Sequence, residues 1–239
     1  MANYKDIHGT QIEVRSDNPS NPVNGQVWYN TTDQKLRGLS SNPVGSWATT
    51  GNLNQARRRL TGAGPSTAGL AISGTNDPPY FANVEQYNGS AWTEIADVTT
   101  AREETAAAGK SATSILFFGG NENTTPKHSG KTESWNGTSW SEVADLNLSR
   151  AELAGAGASN TSALTFGGIG DSPPPSRGAL VESWNGTSWS EVADLNTARS
   201  NQGEFGSSAN ALSFGGNGPT AVAEEWSEPT LTIQEFDLS

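Results

Sequence analysis

The chain has few or none of several residue types, and each shortage excludes a class of function. Its 239 residues include no cysteine, one methionine and two histidines, His8 and His128. Without cysteine the chain can form no disulfide, thiolate metal site or thiol nucleophile. The two histidines are far apart in sequence, and no His-x-x-x-His motif or aspartate cluster accompanies them. We therefore expect no metal site and no other cofactor.

Long apolar runs and dense charge are missing as well. No apolar stretch approaches the length of a membrane span, and the first residues, MANYKDIHGTQIEV, lack the apolar core of a signal peptide. We expect a protein that is made in a cytoplasm and does not insert into a membrane. Charged residues make up 16% of the chain and its formal net charge is -11. Because an acidic surface repels phosphate groups, nucleic acid is not an expected partner.

Turn-forming residues, in contrast, are abundant. The chain contains 27 glycines and 12 prolines, which occur at short intervals between stretches rich in serine, threonine and asparagine. Frequent turns between short apolar stretches are typical of an all-β fold.

An internal repeat dominates the sequence. The segment ESWNGTSWSEVADLN occurs at residues 133–147 and again, without a change, at 182–196. A weaker copy occupies residues 85–99, and a degraded copy begins at Glu224. The period is roughly 45 to 49 residues, which is typical of propeller blades. The tryptophans that mark this period are Trp47, Trp92, Trp140 and Trp189.

Other positions recur in each unit, and we predict a structural role for them. An arginine precedes a stretch of small residues, which is followed by an apolar strand that ends in a glycine pair, or in Ser-Gly in the first unit. A residue repeated at one position is expected to have the same structural role in every unit. We expect buried Arg–Glu pairs or hydrogen bonds to strand ends, and tryptophans that pack rather than stack on sugars. The arginines are Arg57, Arg102, Arg150 and Arg199, and the glutamates are Glu85, Glu133, Glu182 and Glu224.

Each unit is predicted to contain four strands. The small-residue stretch is the first, the apolar stretch is the second (for example 162–166), Glu-x-aromatic lies on the third, and the recurring tryptophan begins the fourth. An Asn-Gly pair joins the third and fourth strands and favours a type I′ turn. A two-residue loop would set Glu133 opposite Trp140, whereas a four-residue loop would set Trp135 opposite Trp140. The sequence leaves both registers open.

The order of these positions, over about residues 50–239, resembles the kelch repeat. The resemblance implies a β-propeller in which each unit is a four-stranded blade. The blades would span about residues 47–97, 98–147, 148–196 and 197–239. Kelch propellers usually have more than four blades, so three arrangements remain open: a four-bladed ring, a further blade completed by the N-terminal region, or an open or oligomeric array. A last strand at 231–236 could close the fourth blade or pair with the N-terminal region.

Residues 1–46 lie outside the repeat. The segment 25–39, GQVWYNTTDQKLRGL, predicts a hairpin with strands at 27–29 and 35–39 and a turn at 30–33. Together with Gly-Ser-Trp at 45–47, it resembles N-terminal segments of virion structural and tail-fibre-like proteins of tailed phages of aquatic bacteria. The resemblance implies a virion protein that docks on other virion proteins through this segment, displays its repeats, and is a homo-oligomer in the particle.

The connections after the glycine pairs differ in length, charge and aromatic content, while the framework around them changes little. A fixed scaffold with varied loops is a common way to build a binding surface. The connections could also be neutral surface loops. The candidate contact residues are Tyr80, Phe81, Lys127, His128, Asp171 and Arg177.

The favoured hypothesis is a non-enzymatic virion protein, a fibre or appendage subunit that binds a host-surface glycan or protein, or a neighbouring virion protein. A capsid or tail decoration protein without a receptor role is one alternative. A propeller-type carbohydrate-active enzyme is another, and a cellular kelch adaptor is a third. We predict no catalytic residue, because an enzyme of that type needs two convergent carboxylates, whereas the repeated glutamates are placed symmetrically.

Overall fold

The computed structural model describes residues 12–23, 25–39, 47–170, 176–217 and 220–228, and at 176 and 177 it describes the backbone alone. The chain divides into two compact units, Met1–Thr49 and Thr50–Ser239. Apart from one 3-10 turn at Ser176–Ala179, the regular elements of the described ranges are strands, so the predicted all-β class is confirmed. No helix among these residues is long and apolar enough to cross a membrane.

The first unit contains a three-stranded sheet of β1 (Glu13–Arg15), β2 (Val27–Asn30) and β3 (Lys35–Gly38). Strands β2 and β3 form the predicted antiparallel hairpin. In its turn, the Asn30 side-chain oxygen accepts the backbone N–H groups of Thr32 and Asp33 at 2.9 and 3.1 Å. Such an asparagine stabilises a tight turn by replacing a backbone acceptor. Strand β1 adds to β2 in parallel, which the sequence did not predict.

The second unit contains four repeat sheets, each an antiparallel meander in chain order. Sheet 1 comprises β4 (Thr61–Ala63), β5 (Leu70–Ile72), β6 (Val84–Tyr87) and β7 (Trp92–Ile95). Sheet 2 comprises β8 (Ala106–Ser111), β9 (Ser114–Phe118), β10 (Thr132–Trp135) and β11 (Trp140–Val143). Sheet 3 comprises β12 (Ala154–Ser159), β13 (Ser162–Phe166), β14 (Val181–Trp184) and β15 (Trp189–Glu191). Sheet 4 comprises β16 (Gly203–Gly206), β17 (Asn210–Phe214) and β18 (Ala223–Ser227). The strand predicted at 231–236 lies outside the described residues.

The second strands of the interior sheets 2 and 3, β9 and β13, are apolar because both of their faces are covered. In β9, alternate side chains point to opposite faces. Ile115 and Phe117 join the apolar cluster between sheets 1 and 2, whereas Leu116 and Phe118 join the cluster between sheets 2 and 3. All four side chains are buried. A third cluster fills the space between sheets 3 and 4.

The sheets pack in order through their first strands, β4, β8, β12 and β16. Small residues make this approach possible. A Cβ atom added at Gly155 of β12 would lie 2.8 Å from the Phe118 ring and 3.1 Å from the Ala107 carbonyl oxygen. Among the described residues, no comparable contact joins β4 to β16. The array is compatible with a propeller-like fold, and a closed ring is not found in this part of the chain.

The hairpin between the third and fourth strands has a four-residue loop, which decides the register that the sequence left open. Trp135 pairs with Trp140, and Trp184 pairs with Trp189. The expected type I′ turn is wrong, because Gly137 has a φ of +95° but Asn136 does not have a positive φ. Instead, the Asn136 side-chain oxygen accepts the N–H groups of Thr138 and Ser139, each at 2.9 Å. This side-chain bonding to the backbone suits a longer loop.

Candidate functional site

The repeated arginines and glutamates form buried ion pairs that hold each repeat sheet together. In sheet 2, Arg102 Nη2 donates to Glu133 Oε1 at 2.8 Å, and Arg102 Nη1 donates to the carbonyl oxygens of Gly119 and Lys131 at 2.8 and 2.7 Å. The guanidinium group therefore bridges the end of the second strand and the start of the third. The same geometry recurs in sheets 3 and 4, in the pairs Arg150–Glu182 and Arg199–Glu224. In sheet 1, Arg57 also pairs with Glu85, but its guanidinium donates to the carbonyl oxygens of Asn83 and Ala71.

In sheets 2 to 4, the second oxygen of the glutamate binds the chain segment that arrives from the preceding sheet. Glu133 Oε2 accepts the Thr99 N–H at 2.6 Å, and Glu182 Oε2 accepts the Asn147 N–H at 2.8 Å. Burial lowers the pKa of Arg102, although the carboxylate of Glu133 acts to raise it. A charged pair can be buried in this way when additional hydrogen bonds satisfy its atoms. These residues therefore secure both the sheet and its link to its neighbour.

The varied connections all follow the glycine pairs, and we call their surface the loop face. It comprises residues 75–83, 121–131, 169–180 and 217–222, of which 171–175 and 218–219 are outside the described residues. Gly119 and Gly120 turn the chain into the connection with φ values of +66° and +102°, which glycine adopts without strain. Backbone bridges then fix the base of the first three connections.

Tyr80 and Phe81 lie on the first connection and are both half-buried. The Tyr80 hydroxyl donates to Glu103 Oε1 of the next repeat at 2.9 Å. Burial, and then this hydrogen bond, raises the pKa of Tyr80 to about 12. The Phe81 N–H donates to the carbonyl oxygen of Gly74 at 2.8 Å. Tyr80 thus links the connection to sheet 2 as well as presenting part of its ring to solvent.

Lys127 and His128 lie on the second connection. Lys127 is exposed and His128 is half-buried. The Lys127 carbonyl oxygen accepts the Glu122 N–H at 2.8 Å, and His128 bridges to Asn121. Asp171 and the side chain of Arg177 lie outside the described residues. The structure therefore brings two candidate residues together on each of two successive connections.

Sequence reasoning missed a polar cavity of about 550 Å³ that is lined by residues from all four repeats. The lining includes Arg59, Glu104, Glu152 and Asn201, which occupy the second position after each repeated arginine. Their φ values lie between 51° and 55°. The recurrence of Arg-x-Glu in the second and third units could have indicated these lining positions from the sequence.

A chain of backbone hydrogen bonds connects these four residues. The Glu104 N–H donates to the Arg59 carbonyl oxygen at 3.0 Å, the Glu152 N–H to Glu104 at 2.9 Å, and the Asn201 N–H to Glu152 at 3.0 Å. Within the described part of the chain, no hydrogen bond joins the Arg59 N–H to the Asn201 carbonyl oxygen. We call this row the left-handed ladder; it links successive repeats and is open at both ends among these residues.

The cavity is acidic. Burial raises the pKa of Glu104, against the lowering effect of Arg59. Glu204 keeps contact with solvent but is crowded by protein atoms, and this desolvation raises its pKa to about 7. No group of three or more histidine, aspartate or glutamate side chains that could hold a metal ion is found in the described ranges.

The chain matches no family profile, and no curated protein matches it significantly. The assignment of a function therefore depends on the repeats, on the geometry of the loop face and on the resemblances of the sequence.

Proposed function

We propose that the protein is a non-enzymatic structural component of a tailed-phage particle. It would be a fibre or appendage subunit whose four repeats form a kelch-like propeller and bind a host surface or a neighbouring virion protein. The observation that carries the proposal is the contrast between a fixed frame and a varied loop face. The segments 133–147 and 182–196 are identical, whereas the connections that follow the glycine pairs differ in every repeat.

The frame is suited to hold these connections still. Each repeat is locked by a buried Arg–Glu pair, and the base of the second connection is fixed where Asn121 bridges to Glu103 and His128. A rigid scaffold lowers the entropy cost of ordering loops when they bind. Side chains at the tips, such as Lys127, would make the contacts, since Lys127 is exposed.

The chemistry of the loop face favours shallow polar contacts. It combines the aromatic residues Tyr80 and Phe81 with charged and hydroxyl side chains. Such contacts are individually weak, so several copies on one particle would supply avidity. The N-terminal unit would dock on other virion proteins, as the resemblance of its sequence implies.

A structural rather than enzymatic role agrees with the state of the repeated glutamates. Glu133 and Glu182 each accept hydrogen bonds from an arginine and from a backbone N–H. A carboxylate held in this way is a poor general acid or base, because its lone pairs are occupied and its charge is compensated.

Immunogold electron microscopy tests the location, with antibody raised against the purified full-length protein and lysates that contain candidate virions. Label at fibres or tail tips supports the proposal. Dense label over capsid or tail shaft indicates a decoration protein instead, and particles without label overturn the virion assignment. For binding, a variant with residues 122–127 replaced by a Gly-Ser linker should bind host cells more weakly. Unchanged binding would count against this connection as a contact surface.

A further inference from the structure

The terminal repeat sheets each have an outer face that the described residues leave uncovered. The outer face of sheet 4 carries Phe205, Leu212 and Phe214 on paired strands. The rings of Phe205 and Phe214 lie 5.8 Å apart, and the two residues are 62% and 39% exposed. At the position equivalent to Phe214, sheet 2 has Phe118, which is fully buried because sheet 3 covers it. No sheet in the described ranges covers this aromatic pair of sheet 4.

The outer face of sheet 1 has a hollow instead. Tyr87 and Trp92 stand together with ring centroids 5.1 Å apart. A cavity of about 360 Å³ opens beside them, and its lining includes Gly62, Gly64 and Gly69. The absence of side chains at these three positions leaves room on this face for bulky groups from a neighbour.

The interface between sheets 2 and 3 shows how two such faces fit together. The ring of Phe118 lies 5.0 Å from that of Trp189. It also lies against Gly155, since a Cβ built there would be 2.8 Å from it. Two residues further along β12, Gly157 lies against Ala108, and a Cβ added at Gly157 would be 2.9 Å from the Cβ of that alanine. Aromatic side chains and alanine on one sheet therefore meet glycines and a tryptophan on the next.

The same register matches the two outer faces. Phe214 corresponds to Phe118 and would meet Trp92 and Gly62, which correspond to Trp189 and Gly155. Phe205 corresponds to Ala108 and would meet Gly64, which corresponds to Gly157. A phenylalanine is larger than an alanine, and the cavity beside Gly64 supplies the additional space. The faces are therefore complementary in size as well as in position.

The left-handed ladder has matching ends as well. Its steps join the carbonyl oxygen of one repeat to the N–H of the next, from Arg59 to Asn201. If sheet 1 followed sheet 4, the Asn201 carbonyl oxygen would meet the Arg59 N–H. A backbone donor and acceptor that become buried need such partners.

We propose that sheet 4 of one copy packs on sheet 1 of a second copy, head to tail, and so continues the interface that already joins the repeats within each chain. A second copy is the occupant because the faces are equivalent to those that pair inside the molecule, while β4 and β16 of one chain make no comparable contact in the described residues. A head-to-tail contact of this kind closes into a ring or extends as a filament. The proposal does not depend on the protein being part of a virion.

The test is the mass of the full-length protein in solution, measured by sedimentation velocity at micromolar concentrations. The wild type should sediment as a multiple of the 25.0 kDa chain. Phe205→Glu places a charge on the outer face of sheet 4, and Trp92→Glu places one on the outer face of sheet 1. Each variant alone should therefore be a monomer. An equimolar mixture should form a one-to-one heterodimer, because each partner keeps the face that the other has lost.

Several results would overturn the proposal. A wild-type protein that stays monomeric would do so, as would a Trp92→Glu variant that still assembles with itself or a mixture that remains monomeric. Circular dichroism verifies that the variants fold. Ser66 lines the cavity on sheet 1 and is exposed, so Ser66→Trp should also prevent assembly by filling that cavity. The matched control is Ile169→Glu. Ile169 is 41% exposed and lies on the loop face, so this variant should assemble like the wild type.

Discussion

The interior sheets 2 and 3 and the terminal sheets 1 and 4 are built from the same repeat, yet equivalent residues are buried to different extents. Trp189 is 5% exposed, whereas Trp92 is only half-buried. Phe118 is fully buried, whereas Phe214 is 39% exposed. The difference arises because burial in an array of repeats is supplied by the neighbouring repeat. An interior residue is stabilised from both sides, and its terminal equivalent is stabilised from one.

The buried ion pairs should show the largest difference between the two kinds of sheet. We expect Glu133→Gln to lower the free energy of unfolding by about 3–5 kcal/mol, because it leaves Arg102 buried without a counter-charge. The equivalent change Glu224→Gln in sheet 4 should cost about 1–3 kcal/mol, since its hydrogen bonds are more accessible to water. Urea unfolding measures the loss in free energy of unfolding for both variants. Equal losses would show that the terminal pair is as tightly held as the interior one.

The recurring tryptophans allow interior and terminal sheets to be compared in their apolar packing. Trp189→Ala should cost about 3–5 kcal/mol, because it empties a site between sheets 2 and 3. Trp92→Ala should cost about 1 kcal/mol in the monomer, since no neighbouring sheet covers it in the described residues. Unfolding is best followed at low protein concentration, because assembly would otherwise stabilise the wild type. A large loss for Trp92→Ala in the monomer would mean that its own chain covers it.

Much of this contrast could not be predicted from the sequence, although the repeat itself could. The four-stranded unit, which the structure shows in sheets 1 to 3, and the position of the second strand at 162–166 follow from periodicity and turn residues. The hairpin register did not follow, because Asn-Gly fits both a two-residue and a four-residue loop. The parallel strand β1 was missed, since its three residues carry no periodic signal. Residues such as Glu104 were missed because a left-handed backbone is set by contacts between repeats, not by local sequence.

The equivalent glycines Gly119 and Gly215 test how far a neighbour constrains the backbone. Both have positive φ values, of +66° and +67°. A Cβ at Gly119 would lie 2.8 Å from the Leu153 side chain and 2.9 Å from the Arg150 carbonyl oxygen, whereas a Cβ at Gly215 meets nothing within 4 Å. Gly119→Ala should therefore cost about 2–4 kcal/mol, from strain and overlap together.

Gly215→Ala serves as the control for Gly119→Ala. It should cost about 1–2 kcal/mol, which is the strain of a left-handed alanine alone. The difference between the two melting temperatures then reports the overlap with sheet 3. If the two variants lose the same stability, the close approach of Leu153 to Gly119 relaxes without cost.

The smallest expected effect concerns Glu204, a carboxylate that sheet 4 carries where sheet 3 has Gly155. Its pKa of about 7 in the folded protein exceeds the value near 4.3 expected for an unfolded chain. The folded state therefore binds the proton more tightly, so this residue makes stability fall as pH rises from about 4 to about 7. Glu204→Gln should flatten that fall and raise the melting temperature most above pH 7. Because the side chain is exposed, the gain should stay below about 1 kcal/mol. An unchanged slope in Glu204→Gln would show that solvent reaches this carboxylate freely.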